Sequence, residues 1–184
     1  MSAFEFTFSL FGLLLGFSLV EVLGGLVRSV KLVRKVRVGW LTPLLGLFVM
    51  VDLASFWSIA WEVRDRMPAN FAMLLLGLAI TGIYYFSASL VFPEKPEEWP
   101  DFDDWTARHK YQVLGGIFAC NVITTAAVLL PRLQTLEPEV FVTNGVLLTM
   151  MAVAAFARPK WLTGAMLAGM LLFYFWFASL TIGR

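Results

Sequence analysis

Six apolar blocks divide this chain: Phe4–Val27, Trp40–Trp61, Phe71–Phe92, Tyr111–Leu130, Val140–Ala157 and Trp161–Ile182. Each runs for 18 to 24 residues, and short charged stretches separate them. A helix rises about 1.5 Å per residue, so about 20 residues cross a hydrocarbon core about 30 Å thick. The blocks predict an all-α integral membrane protein: one domain, residues 1–184, built as a bundle of six transmembrane helices. Composition agrees, with 59% hydrophobic residues, 15% charged residues and a mean hydropathy of +0.78. Soluble domains carry roughly 45–50% apolar and about 25% charged residues.

Pro68, Pro93, Pro96, Pro100, Pro131, Pro138 and Pro159 fall in the connections, where a missing N–H does least harm in lipid. Pro43 sits inside a block, in its first turn, where proline is tolerated. Trp40, Trp57, Trp61 and Trp161 lie near block ends, as interfacial aromatics do. The opening "MSAFEFTF" has no basic region, so the first block is expected to persist as a span. The first, third and fifth connections hold ten of the 14 Lys and Arg residues. The positive-inside rule then puts both termini on the non-cytoplasmic side, with a bacterial cytoplasmic membrane as the expected location.

"YYFSASL" (Tyr84–Leu90) resembles "YFWFASL" (Tyr174–Leu180), 90 residues later. That offset suggests a weak three-plus-three inverted repeat. "VLGGL" (Val22–Leu26) and "VLGGI" (Val113–Ile117) share a similar offset, yet both would sit near the cytoplasmic face, against an inversion.

Acids inside the blocks carry the most information. A charged Asp at mid-span costs about 2.5–3.5 kcal/mol on insertion scales. Asp52 lies twelve residues past Trp40, roughly 18 Å along its helix and so near midplane. It is either protonated or bonded to a partner on another helix. Asn121, roughly 16 Å past Lys110, is the candidate partner, and Thr124 and Thr125 continue its polar face. Glu21 is the second acid, with Gly25 and Arg28 following on the same helical face. Arg28 is its expected charge partner, reaching back over Gly25. Gly12/Gly16, Gly115/Ala119, Gly116/Cys120, Gly164/Ala168 and Ala165/Gly169 are small-xxx-small pairs that allow close helix approach within the bundle or between copies.

The basic run Arg28, Lys31, Arg34, Lys35 and Arg37 follows a complete span, so it reads as juxtamembrane: a topology signal that could also meet anionic lipid. "PEKPEEWPDFDDWTARHK" (Pro93–Lys110) fails as a calcium loop, because Thr106 and Gln112 stand where glycine and glutamate are needed. A solvated cytoplasmic loop is expected there. One histidine (His109) and one cysteine (Cys120) build neither a bis-His haem nor a zinc site. Phosphate-loop, HExxH and GxSxG motifs are missing, so no enzyme, cofactor or metal is expected. A net charge of +1 suggests no nucleic acid.

Two functions remain. One is a small channel or transporter-like protein moving protons, an ion or a small solute past Asp52, with Asn121, Thr124, Thr125 and Glu21 as further candidates. The other is a non-catalytic accessory or scaffold subunit, docking on another membrane protein or on itself. Wet polar groups around Asp52 would mark the first, and an Asp52 sealed by aromatic rings the second.

Overall fold

A computed structural model of the chain describes residues 3–66, 68, 70–130 and 138–182. It contains six long helices: α1 (Ala3–Leu32), α2 (Leu41–Glu62), α3 (Phe71–Ser89), α4 (Phe102–Leu129), α5 (Pro138–Phe156) and α6 (Lys160–Ile182). All six are long and apolar enough to cross a membrane. The fold is a six-helix bundle. Each apolar block carries one helix, although the ends differ from the blocks. α1 continues through Arg28 and Lys31, and α4 begins nine residues before its block. Pro138 belongs to α5 as its first residue rather than to a connection. Proline's fixed φ suits that position, and its missing N–H would have no intrahelical partner there anyway.

The helices close into a ring in the order α1, α3, α4, α5, α6, α2, and α2 also touches α4 across the middle. α2 is therefore the inner helix. Its Leu45, Phe48, Val49 and Leu53 are buried in one cluster with Val113, Leu114 and Ile117 of α4 and Leu167 and Met170 of α6. The two halves of the chain pack differently. In the first half α1 holds both α2 and α3, whereas in the second half α5 holds both α4 and α6. The packing gives a three-plus-three repeat no support.

Lipid tails are as apolar as leucine, so burial alone does not drive helices together in a bilayer. Close packing and interhelical hydrogen bonds do. Several glycines serve that packing. A Cβ on Gly25 would lie 2.1 Å from the Phe92 ring, one on Gly77 1.9 Å from Phe11, and one on Gly164 2.1 Å from Trp40. The pairs singled out by spacing divide: Gly116 receives Ser87 of α3, while Gly16 and Gly115 face open space.

The α1–α2, α3–α4 and α5–α6 connections knit together into a platform on one face of the bundle. Arg37 N–H donates to Pro100 O at 3.3 Å, and Phe102 N–H donates to Arg37 O at 3.0 Å. The Asp101 side chain accepts from Asp103 N–H at 2.8 Å and so caps α4. Asp103 in turn caps α2, accepting from the N–H groups of Trp40, Leu41 and Thr42 at 3.3, 3.0 and 3.1 Å. The first N–H groups of a helix lack intrahelical partners, and this carboxylate supplies one to three of them. Lys160 pairs with Asp104 at 2.7 Å and ties in the last connection. The Pro93–Lys110 stretch is thus a docked, capped segment rather than a free solvated loop. Trp105 donates to Leu90 O at 2.9 Å and stacks on His109 at 3.7 Å.

Candidate functional site

Asp52 projects from the inner helix into the middle of the bundle and is fully buried. Three helices supply its partners. Tyr84 of α3 donates its hydroxyl to Oδ2 at 2.7 Å. Tyr174 of α6 donates to Oδ1 at 2.8 Å. Asn121 of α4 offers its amide to both oxygens, at 3.2 and 3.3 Å. One carboxyl therefore joins four of the six helices.

The local folding explains the convergence. Helical side chains lean toward the N-terminus of their own helix. α3 and α6 run in opposite directions across the bundle, so the two tyrosines approach the carboxyl with opposite tilts. The Asn121 amide is steadied from behind by a second donation, to Ile117 O at 3.1 Å. Phe56 packs edge-on to Tyr84, with ring centroids 5.5 Å apart. Ser55 donates to the backbone carbonyl of Asp52 at 2.7 Å.

All these donors are neutral, and no ion pair reaches Asp52 among the described residues. An ionised carboxylate only accepts hydrogen bonds, which matches three neighbours that donate. A tyrosine hydroxyl can also accept. If Asp52 takes up a proton, one tyrosine can reverse its role and receive it, provided its own hydrogen finds another acceptor. A change of protonation at Asp52 would be shared by α2, α3, α4 and α6.

Thr124 and Thr125 flank this site without touching Asp52. Thr124 Oγ1 is buried with no hydrogen-bond partner among the described residues. Thr125 donates to Asn144 of α5 at 3.4 Å, a long bond. Glu21 and Arg28 require a correction: no ion pair forms between them. The Gly25 position is filled by Phe92, and the Arg28 guanidinium lies over Gly24 instead, 3.5 Å from where a Cβ would be. Glu21 is half-buried on α1 and is not among the groups hydrogen-bonded to Asp52. Within the basic run, Arg28, Lys31, Arg34, Lys35 and Arg37 are all exposed, and Arg37 pairs with Asp101 at 3.6 Å. No group of three or more His, Cys, Asp or Glu side chains able to hold a metal comes together among the described residues.

Sequence reasoning missed the two tyrosines. A signal for them existed: Tyr84 and Tyr174 occupy the same place in "YYFSASL" and "YFWFASL". Comparison with family models, with curated proteins and with solved structures gives no match for this chain.

Proposed function

We propose that this membrane protein is a small transporter-like or channel-like protein that moves protons, or an ion or small solute coupled to them, with Asp52 as the proton-responsive group. One observation carries the reading. Asp52 is a buried carboxyl on the inner helix, held by neutral donors from three other helices. A neutral amide at that position would accept hydrogen bonds too, without the insertion cost of about 2.5–3.5 kcal/mol that a charged Asp brings. What the acid adds is the ability to ionise. Intramembrane acids mark proton relays and ion paths for this reason. The conformation described is then an occluded one. Thr124, Thr125 and Asn144 offer further polar groups beside Asn121, where α4 meets α5. No catalytic role is proposed.

The test is flux. In proteoliposomes with an imposed pH gradient, the wild-type protein should dissipate the gradient and Asp52→Asn should not, while both remain folded by circular dichroism. Equal flux in the two proteins would sink the reading.

A second reading, a non-catalytic accessory subunit, draws on the aromatic character of the cage. Tyr84 is fully buried, and Phe56 closes on its ring, so Asp52 is sealed as a structural knot would be. In that case flux is absent in the wild-type protein as well, and Asp52→Asn changes stability alone.

A further inference from the structure

A cavity of about 380 Å³ opens on the platform face between the start of α4 and the α5–α6 turn. Its lining includes Lys110, Arg158 and Lys160 together with Tyr111, Ala155 and Phe156. The volume falls within the roughly 300–1,000 Å³ of ordinary small-molecule sites.

Charge and depth divide this cavity into two zones. α4 and α6 enter the bundle from the platform, and α5 leaves it there. Arg158 and Lys160 therefore stand at the water side, while Tyr111, Ala155 and Phe156 lie within the apolar parts of α4 and α5. Tyr111 and Phe156 are exposed, so the deeper zone is open laterally, toward the surrounding bilayer. Lys110 is 8% exposed and forms the back wall. Its ammonium donates to Ala157 O and, at 2.6 Å, to Thr163 Oγ1. That contact matters electrostatically. The last carbonyls of α5 would repel an anion, and Lys110 covers one of them. The first turn of α6 adds the positive end of its dipole. Three acids stand nearby, and each is already engaged: Asp104 pairs with Lys160 at 2.7 Å, Asp101 with Arg37 at 3.6 Å, and Asp103 accepts from the first N–H groups of α2. Arg158 is exposed and has no ion-pair partner among the described residues.

We infer that this cavity binds the phosphate of an anionic phospholipid, with Arg158 as the main contact and the acyl chains passing over Tyr111 and Phe156. A free phosphate shares the anionic chemistry but has no use for the lateral apolar zone. This assignment is separate from the exposed basic run at the end of α1 and does not depend on what Asp52 does.

Native mass spectrometry from mixed micelles of phosphatidylglycerol and phosphatidylcholine tests the assignment. The wild-type protein should retain phosphatidylglycerol in preference to phosphatidylcholine. Near a membrane surface each basic residue contributes about 1 kcal/mol, so Arg158→Gln should lower phosphatidylglycerol occupancy about fivefold. Arg158→Lys should restore most of it. Ala107→Phe, which fills the cavity without altering charge, should lower it comparably. Lys95→Gln removes an exposed charge elsewhere on the same face, outside both the cavity and the basic run, and should leave occupancy unchanged. An equal loss with Lys95→Gln, or equal retention of the two lipids, would overturn the site. Inorganic phosphate alone protecting the wild-type protein, but not Arg158→Gln, from thermal unfolding as well as phosphatidylglycerol does would overturn the lipid as its ligand.

Discussion

Tyr84 and Tyr174 show how much a single hydroxyl depends on its setting. Tyr85, next in the chain, is exposed, while Tyr84 is buried against Asp52. Interhelical hydrogen bonds in membranes average about 0.6 kcal/mol and reach about 1.7. Bonds to charged groups run higher, about 1.5–3 kcal/mol. Tyr84→Phe and Tyr174→Phe should therefore each destabilise the protein by about 1–2 kcal/mol in reversible unfolding from detergent. The stronger statement concerns coupling. In an Asp52→Leu background the cost of Tyr174→Phe should shrink by at least about 0.5 kcal/mol, because its acceptor is gone. An unchanged cost would mean that the hydroxyl contributes through packing alone.

Among the elements, the α2 N-terminus has the most specific requirements. Gly39 adopts φ +69°, a conformation that costs an L-residue with a side chain about 1–2 kcal/mol. A Cβ there would also lie 2.2 Å from the Asp103 carboxyl carbon, displacing the cap of α2. Asp103→Ala should cost about 0.5–2 kcal/mol as a lost cap. Gly39→Ala should cost more than that, and the double variant less than the two together, since both act on the same carboxylate. Thermal melts of the four proteins in one detergent would check this. How legible was any of it in the sequence? The Asp52–Asn121 contact could be read by counting depth, because helix rise fixes the height of a polar residue in an apolar run. The tyrosines left only their matching places in "YYFSASL" and "YFWFASL" as a signal, since tyrosine is at home in apolar blocks and only helix rotation separates Tyr84 from Tyr85. Hydropathy finds the membrane rather than the helix, so it missed the first nine residues of α4. Asp101, followed three residues later by Asp104, was nonetheless a readable start signal. Glu21 and Arg28 misled because a shared face is not a contact. Two helical turns separate them by roughly 10 Å, and Phe92 from another segment took the intervening space.

At the scale of the whole molecule, three connections are joined on one face by the Arg37–Asp101 and Lys160–Asp104 pairs. Six crossings then leave both ends of the chain on the opposite face. Ten of the 14 Lys and Arg residues lie in these connections or in the helix ends that lead into them, so the positive-inside rule predicts that this face meets the cytoplasm. In a Cys120→Ala background, a cysteine at Asp65 should react with an impermeant maleimide added to intact cells. A cysteine at Glu97 should react only after permeabilisation. The reverse pattern would invert the orientation and place the lipid cavity in the outer leaflet.

The partners of Asp52 also have an order in time. Tyr84, Asn121 and Tyr174 lie 32, 69 and 122 residues downstream of it. At about 5–20 residues per second, the ribosome delivers Tyr174 roughly 6–24 s after Asp52. α2 must therefore be committed to the bilayer while its acid is still uncaged, a burden its strongly apolar sequence can carry. A chain that stops short of α6 is left with an acid lacking one of its three partners. The last helix completes the cage, and until it arrives the nascent protein carries within the membrane a chemical mark of being unfinished.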